Sequence, residues 1–448
     1  PARDTFTLSN LQSCRSRVGA LGRSHGQCPI GRVPAPHRRA AAPVLQSYKP
    51  IRFVSCKGMG MPTAIASQAI VLSIAAAVWS VLHNGLGSLG FEYSFPRNTT
   101  RLACQEDITA TDYMRTTVYF PSHGDRLEGW FYQPLPTPEV QPPVIIMGHG
   151  LGAQKDMSLH PYAEQFAQAG MAVLVIDYRG FGGSDGEVRH WVSWTRHTQD
   201  YQAALDYVLS GGLGEGRLDL ERVALWGISY SGGHALVTAA KEANHGKVKA
   251  VVANEPYLLG TGNIAKAVAD RPLHVVARLL LAGVVDKIRE LSGRGPVYVK
   301  LVGDMDGLAV LGMNPQELAF SRGNRTGPPI RIGGWKNLVT ARFLIDNLGY
   351  KPMSYVDKLK CPVLLVGGTK DYLCPIENIR KAAELIGDKA LVLERPYGHI
   401  ELHKRGTDPE ELAPIIEWLR RQFGMQPEHV DTHPLEPPAE TEGTVEVA

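Results

Sequence analysis

Val223-Ala-Leu-Trp-Gly227-Ile-Ser229-Tyr-Ser231-Gly-Gly233-His-Ala-Leu-Val is the stretch whose reading decides the fold. A short apolar run ends in Trp226 and Gly227, and a serine follows two residues later. Small residues come next, then a helix-compatible run. The pattern predicts a strand, a sharp turn and a helix, with Ser229 at the turn. Such a turn strains the serine backbone and lifts its hydroxyl off the end of a sheet, where a substrate can reach it. The small neighbours let the helix pack close to the strand. The usual pattern is Gly-x-Ser-x-Gly. Here the last position is Ser231, small enough to preserve the turn, with Gly232 behind it. Read alone, the stretch could equally be a Gly/Ser turn with no chemistry, so its surroundings decide.

The surroundings alternate apolar strands with helices. Met114–Phe120 and Leu127–Tyr132 suggest a hairpin around Gly124-Asp-Arg. A Pro-rich link follows, and then strands at Val144–Met147, Ala172–Ile176, Val223–Trp226 and Val248–Ala253, separated by helices at Tyr162–Ala169, Thr198–Leu209 and after Gly232. Fully apolar strands between helices mean a mostly parallel sheet covered on both faces. About 100 residues, from Glu255 to Tyr355, break the rhythm, with a strongly helical run at Ile264–Leu291. The sheet resumes at Pro362–Gly367, a helix follows at Ile376–Ile386, Lys389–Glu394 is the last strand, and Leu412–Phe423 closes the domain.

Three loops, each directly after a strand, give Ser229 a context. Gly148-His-Gly150-Leu-Gly152 follows Val144–Met147. Backbone N–H groups of Leu151 in that loop and of Tyr230 after the serine would bind the oxyanion formed when a serine attacks a carbonyl. Asp371, in Gly367-Gly-Thr-Lys-Asp371-Tyr-Leu-Cys-Pro375, stands past the strand that resumes the sheet. A carboxylate there would orient a histidine and stabilise its cation. His399, in Tyr397-Gly-His399 after the last strand, would take the serine proton and pass it to the leaving group, with His403 as the rival one helical turn on. Each loop alone is ordinary turn chemistry. Together they give the chain order Ser, Asp, His with an upstream oxyanion loop, the order expected for α/β-hydrolases.

From about Thr116 to Phe423 the chain resembles the α/β-hydrolases, and within them the hydrolases related to dienelactone hydrolase and the Xaa-Pro dipeptidyl-peptidase-like group. The stretches that carry the likeness are Gly148-His-Gly150, Asp177-Tyr-Arg-Gly-Phe-Gly-Gly-Ser184-Asp-Gly, Gly227-Ile-Ser229-Tyr-Ser-Gly-Gly-His234, Asp371-Tyr-Leu-Cys-Pro375 and Gly398-His399. The Ser231 variant of the turn also occurs in these relatives. The resemblance implies an eight-stranded, mostly parallel sheet with helices on both faces and a helical lid at about 255–355. It implies Ser229 as nucleophile, Asp371 as acid and His399 as base. It leaves the substrate open, because one scaffold carries esterases, peptidases and acyl transferases.

The rest of the chain bounds partners and location. Residues 1–60 hold ten Lys and Arg against one acid, a charge of +9 in a chain of net +3, so the remainder is −6. Nothing in that mildly acidic body suggests a nucleic-acid surface. The Arg-, Ser- and Pro-rich leader has the composition of a disordered organelle transit peptide, and Val54-Ser-Cys56 favours the chloroplast over the mitochondrion. A start at Met59 or Met61 would instead make the protein membrane-associated or secreted. Residues 61–102 hold a hydrophobic helix at Ala64–Leu82, of marginal membrane-spanning character, and a linker. The catalytic domain is expected at 103–424 and a disordered, acidic, Pro-rich tail at 425–448. The six cysteines match neither a zinc site nor a disulfide scaffold. Gly303-Asp-Met-Asp306-Gly lacks the remaining ligands of a calcium loop. With no phosphate loop, dinucleotide fingerprint or metal cluster in the sequence, the reading calls for no cofactor or metal, only a small-molecule substrate. A serine hydrolase acting on an ester, thioester or amide is the function expected. The alternatives are an acyltransferase on the same scaffold and a non-catalytic ligand-binding protein.

Overall fold

A computed structural model describes residues 107–136, 140–157, 159–214, 216–259, 271–313 and 335–426. The chain divides into two units, residues 1–60 and 61–448, and everything described belongs to the second. The leader, the Ala64–Leu82 helix, the start of the Ile264–Leu291 helix and the tail beyond residue 426 lie outside the described residues. Among the described residues no helix is long and apolar enough to cross a membrane.

The sheet begins as a hairpin. Strand β1 is Ile108–Thr109, β2 is Tyr113–Ser122 and β3 is Asp125–Pro134. Ser122 pairs with Asp125, so the turn is His123-Gly124 rather than Gly124-Asp-Arg, and both its residues have positive φ. That geometry matches the twist of the flanking strands. The chain then winds through β4 (Val144–Gly148), α1 (His160–Gln168), β5 (Ala172–Ile176), α2 (Trp194–Leu209), β6 (Val223–Ile228), α3 (Tyr230–Glu242) and β7 (Val248–Asn254). After the insertion come β11 (Val363–Gly368), α6 (Ile376–Ile386), β12 (Ala390–Arg395), α7 (His399–Arg405) and α8 (Pro409–Gln422).

Spatially the strands run β1-β2-β3-β5-β4-β6-β7-β11-β12. The eight expected strands are all present, and the two-residue β1 adds a ninth at the edge. From β5 to β12 every described pairing is parallel, while β1, β2 and β3 join antiparallel. Every residue of β4, β5, β6 and β11 is buried. Alternate side chains of these strands divide between two apolar layers. One holds Ile146, Leu174 and Leu225 with Tyr201 and Leu205 of α2 and Leu236 of α3. The other holds Ile145, Val173 and Trp226 with Phe166 of α1 and Trp418 of α8. Each such side chain contributes about 1.5–3 kcal/mol on burial.

The insertion is only partly helical. It holds α4 (Leu273–Leu291) and α5 (Phe343–Asp346), and also a three-stranded sheet in the order β10-β8-β9. Its strands are β8 (Tyr298–Asp304), β9 (Ala309–Met313) and β10 (Val339–Thr340). The helical lid expected from the sequence is therefore corrected to a mixed one. The insertion rests on the Gly148–Gly152 loop: the Trp335 indole donates to Gly152 O at 2.9 Å. Gly152 has φ 63°, a backbone that favours glycine, and a Cβ there would also stand 2.6 Å from the end of the Leu301 side chain.

Candidate active site

The loops at the C-terminal ends of β4, β6, β7, β11 and β12 converge at one edge of the sheet, where open α/β sheets bind ligands. Ser229 follows β6 and precedes α3, with φ 56° and ψ −118°. That is a costly backbone for a non-glycine residue, and its neighbours hold it. Its N–H donates to Asn254 O at 2.8 Å and its carbonyl accepts from Tyr257 N–H at 2.9 Å. A Cβ at Gly227 would collide with the Ser231 backbone. Ser231, the departure from the usual turn pattern, is fully buried, and its hydroxyl shares a 2.6 Å hydrogen bond with Tyr178 Oη. A Cβ on Gly148 would collide with both hydroxyls. The missing side chain of Gly148 thus makes room for the extra one at Ser231.

The three predicted side chains meet. His399 Nε2 lies 3.0 Å from Ser229 Oγ. His399 Nδ1 lies 2.6 Å from Asp371 Oδ2. A carboxylate only accepts, so Nδ1 carries the proton, and in the neutral ring Nε2 accepts from the serine hydroxyl. Asp371 Oδ1 accepts the N–H groups of Leu373 and Cys374, each at 2.8 Å, which fixes the carboxylate in its turn. Asp371 and His399 are buried, while Ser229 is partly exposed. Burial, the largest influence on His399, opposes its charge. Asp371, Cys374 and Glu255 together outweigh it and hold the imidazole well above its usual 6.5. The Cys374 thiol is itself pushed up to about 11 by burial. That thiol is therefore uncharged near neutral pH.

The Gly148–Gly152 loop lies against the serine: a Cβ built on Gly150 would be 3.5 Å from Ser229 Cβ. Leu151 follows in that loop. Tyr230 is the first residue of α3, where an N–H has no intrahelical acceptor. The loop is anchored by a buried ion cluster. Lys155 N–H donates to Asp177 Oδ1 at 2.7 Å, and Lys155 Nζ donates to Glu128 Oε1 at 2.6 Å and to Asp177 Oδ2. Burial works against the lysine's charge, but the two carboxylates raise its pKa above the ordinary value. His149 in the same loop is pushed down to about 4 by burial and is neutral at pH 7.

Glu255 is the residue that sequence reasoning missed. It stands directly after β7, fully buried, with Oε2 2.9 Å from His403 Nε2 and 3.6 Å from His399 Nδ1. Its signal was its place one residue past an apolar strand, the same place as Ser229. His403 contacts Glu255 rather than Ser229, so the rival histidine is at the site's edge. Among the described residues, two sets of donor atoms fall within ligand range of one another: Glu255, His399 and His403, and Asp371, Cys374 and His399. A metal in either would compete for the histidine that Asp371 and Ser229 already engage. A cavity of about 230 Å³ at the opposite edge, between Val248, Cys361 and Pro362, is remote from this chemistry.

A strained serine after a central strand, facing a histidine and an acid from later strands, is the arrangement of one superfamily, and its model matches residues 143–404 as the alpha/beta hydrolase fold. The chain belongs to the α/β-hydrolase family. This α/β-hydrolase is 30% identical over 304 residues to the quorum-quenching protein AidA of Acinetobacter baumannii, a match over 68% of this chain and 94% of the relative. It is 27% identical over 323 residues to a polyketide transferase of Aspergillus fumigatus, over 71% of this chain and 99% of the relative. The crystal structure of the alpha/beta hydrolase GrgF from Penicillium sp. sh18 superposes with a TM-score of 0.54 at 23% identity, covering 69% of this chain and 99% of that one.

Proposed function

We propose that this α/β-hydrolase cleaves an ester, thioester or amide of a small acyl substrate through a covalent acyl-enzyme. The observation that carries the reading is the continuous Ser229–His399–Asp371 hydrogen-bonded line at a strained turn, 3.0 Å and 2.6 Å long in its two links. Ser229 Oγ attacks the acyl carbon as its proton passes to His399 Nε2. The carbonyl oxygen gains a negative charge, to which the N–H groups of Leu151 and Tyr230 donate hydrogen bonds. Asp371 stabilises the imidazolium through Nδ1. The intermediate collapses, and His399 gives the proton to the departing oxygen, sulfur or nitrogen. A water, deprotonated by the same histidine, then attacks the acyl-enzyme, and Ser229 regains its proton as the acid leaves.

Acyl transfer is the second reading, and the similarity to a polyketide transferase favours it. Only the second half-reaction differs: an alcohol or amine takes the place of water. The test is to supply a panel of acyl esters and thioesters with and without alcohol and amine acceptors and to quantify both products. Free acid as the sole product across the panel supports hydrolysis, while acceptor-bound product rising with acceptor concentration supports transfer. Failure of every ester, thioester and amide to react would favour a ligand-binding protein instead.

A further inference from the structure

Glu255 has a role that a triad alone does not assign. Its backbone is in the left-handed region, φ 46°, which glutamate rarely adopts. Its N–H donates to Val366 O at 2.8 Å, so the residue is pinned between β7 and β11. The side chain is wholly buried, and neither carboxylate oxygen has a well-formed hydrogen bond. A buried carboxylate so placed needs a counter-charge. The imidazoles of His399 and His403 supply the candidates, four residues apart on α7 with ring centroids 4.9 Å apart.

The groups around His399 come from every element packed on it. Asp371 and Cys374 face it from the turn after β11, Glu255 from the end of β7, Ser229 from the turn after β6, and His403 from its own helix. Two carboxylates therefore converge on one nitrogen, Nδ1, at 2.6 Å and 3.6 Å. We propose that Glu255 is a second carboxylate for His399, a positioning residue that shares Nδ1 with Asp371, steadies the imidazolium formed when Ser229 loses its proton, and sets the pH range in which the site works. This rests on the reading of Ser229 and His399 as nucleophile and base. The elevated pKa of His399 agrees with it, since the carboxylates must overcome full burial. A second charge makes the histidine a stronger base once neutral, and leaves less of it neutral at pH 7.

The test follows the rate at which an alkyl fluorophosphonate labels Ser229 in the full chain, between about pH 5.5 and pH 10. In that step the Oγ–P bond forms, the P–F bond breaks, fluoride leaves and the hydroxyl proton passes to His399, so the rate tracks the neutral base. Wild type should show a limb alkaline of 6.5. Glu255→Gln should move that limb down by about one pH unit or more, because a unit charge 3.6 Å from Nδ1 exceeds that even at an effective dielectric near 20. Its plateau rate should fall with the limb, by up to about tenfold for each pH unit moved, because the charge that raises the base also steadies the imidazolium. Glu255→Asp keeps the charge and should lie closer to wild type than Gln does. A limb that does not move in Glu255→Gln overturns the proposal, as does a plateau that collapses in both variants with the limb unmoved, the mark of a purely structural role. If Glu255→Gln does not fold, Glu255→Asp decides: its shorter side chain draws the charge away from Nδ1 and should lower the limb part of the way, and a limb unmoved from wild type overturns the proposal. Labelling at Ser229 with an unmoved limb sinks Glu255 alone, whereas no labelling of Ser229 in wild type sinks the reading of the site as well.

Discussion

Acidification should unfold this protein through buried histidines outside the Ser229–His399–Asp371 line. His149 and His190 are each 1% exposed, and burial pushes both down to about 4 from 6.5. Between those values the unfolded chain binds a proton at each site that the folded chain refuses, so stability falls as pH falls. Sites lowered by 2.5 pH units, at 1.36 kcal/mol per unit, each remove about 3 kcal/mol by pH 4. The pair removes on the order of 6 kcal/mol, comparable with the whole stability of many domains. His197 and His234, also buried and lowered well below 6.5, act in the same direction. The assay is guanidinium unfolding at pH 7.5, 6.5, 5.5 and 4.5. The midpoint should be nearly level down to about pH 6.5 and fall steeply below it. His149→Phe keeps the aromatic contacts with Tyr178 and Phe181 and gives up the hydrogen bond to Gly150 O, so it should lose about 1 kcal/mol at pH 7 and yet flatten the acid fall. A midpoint unchanged from pH 7.5 to pH 4.5, or an acid fall as steep in His149→Phe as in wild type, would refute the argument.

His399→Ala should lower turnover by several orders of magnitude, while His403→Ala should cost less than about tenfold, read as kcat/KM on an activated ester. Gly148→Ala places a methyl group against Ser231 and Tyr178 and should destabilise by about 1–3 kcal/mol, lowering Tm by several degrees. Gly148→Ala/Ser231→Gly should recover part of that loss, because the two positions share one space. A fluorescent protein fused after residue 60 should enter chloroplasts, and diffuse cytosolic signal would contradict the leader's reading. Extending the fusion to residue 96 adds Ala64–Leu82; resistance to carbonate extraction would show that this segment anchors the product.

Much of the sheet could be read directly because its strands are buried on both faces and so appear as unbroken apolar runs. Ala172–Ile176 and Ile376–Ile386 have the same bounds in sequence and structure. Chemistry was legible where it sits in the loop just past a strand and within a recognisable turn pattern, as at Ser229, Asp371 and His399. Glu255 also stands just past a strand but offered only an acid before a proline, and its partner His403 lies 148 residues away in the chain. Only the pairing of β7 with β11 and of β11 with β12 brings the two loops together. The insertion's sheet was harder still. Strand β8 alternates buried Tyr298, Val299 and Leu301 with exposed Lys300 imperfectly, and its partner β10 is two residues long, too short for any periodicity. Helix α2 extends four residues earlier than its apolar pattern, because Ser193 caps it by accepting from Arg196 N–H.

The central claim is that Ser229 is the nucleophile. The most direct measurement is to label the intact protein with a fluorophosphonate and map the modified residue by peptide mass spectrometry. The account predicts one adduct, on Ser229, absent from correctly folded Ser229→Ala and retained in Ser231→Ala. An adduct on Ser231, or ester turnover that survives in Ser229→Ala, would contradict it.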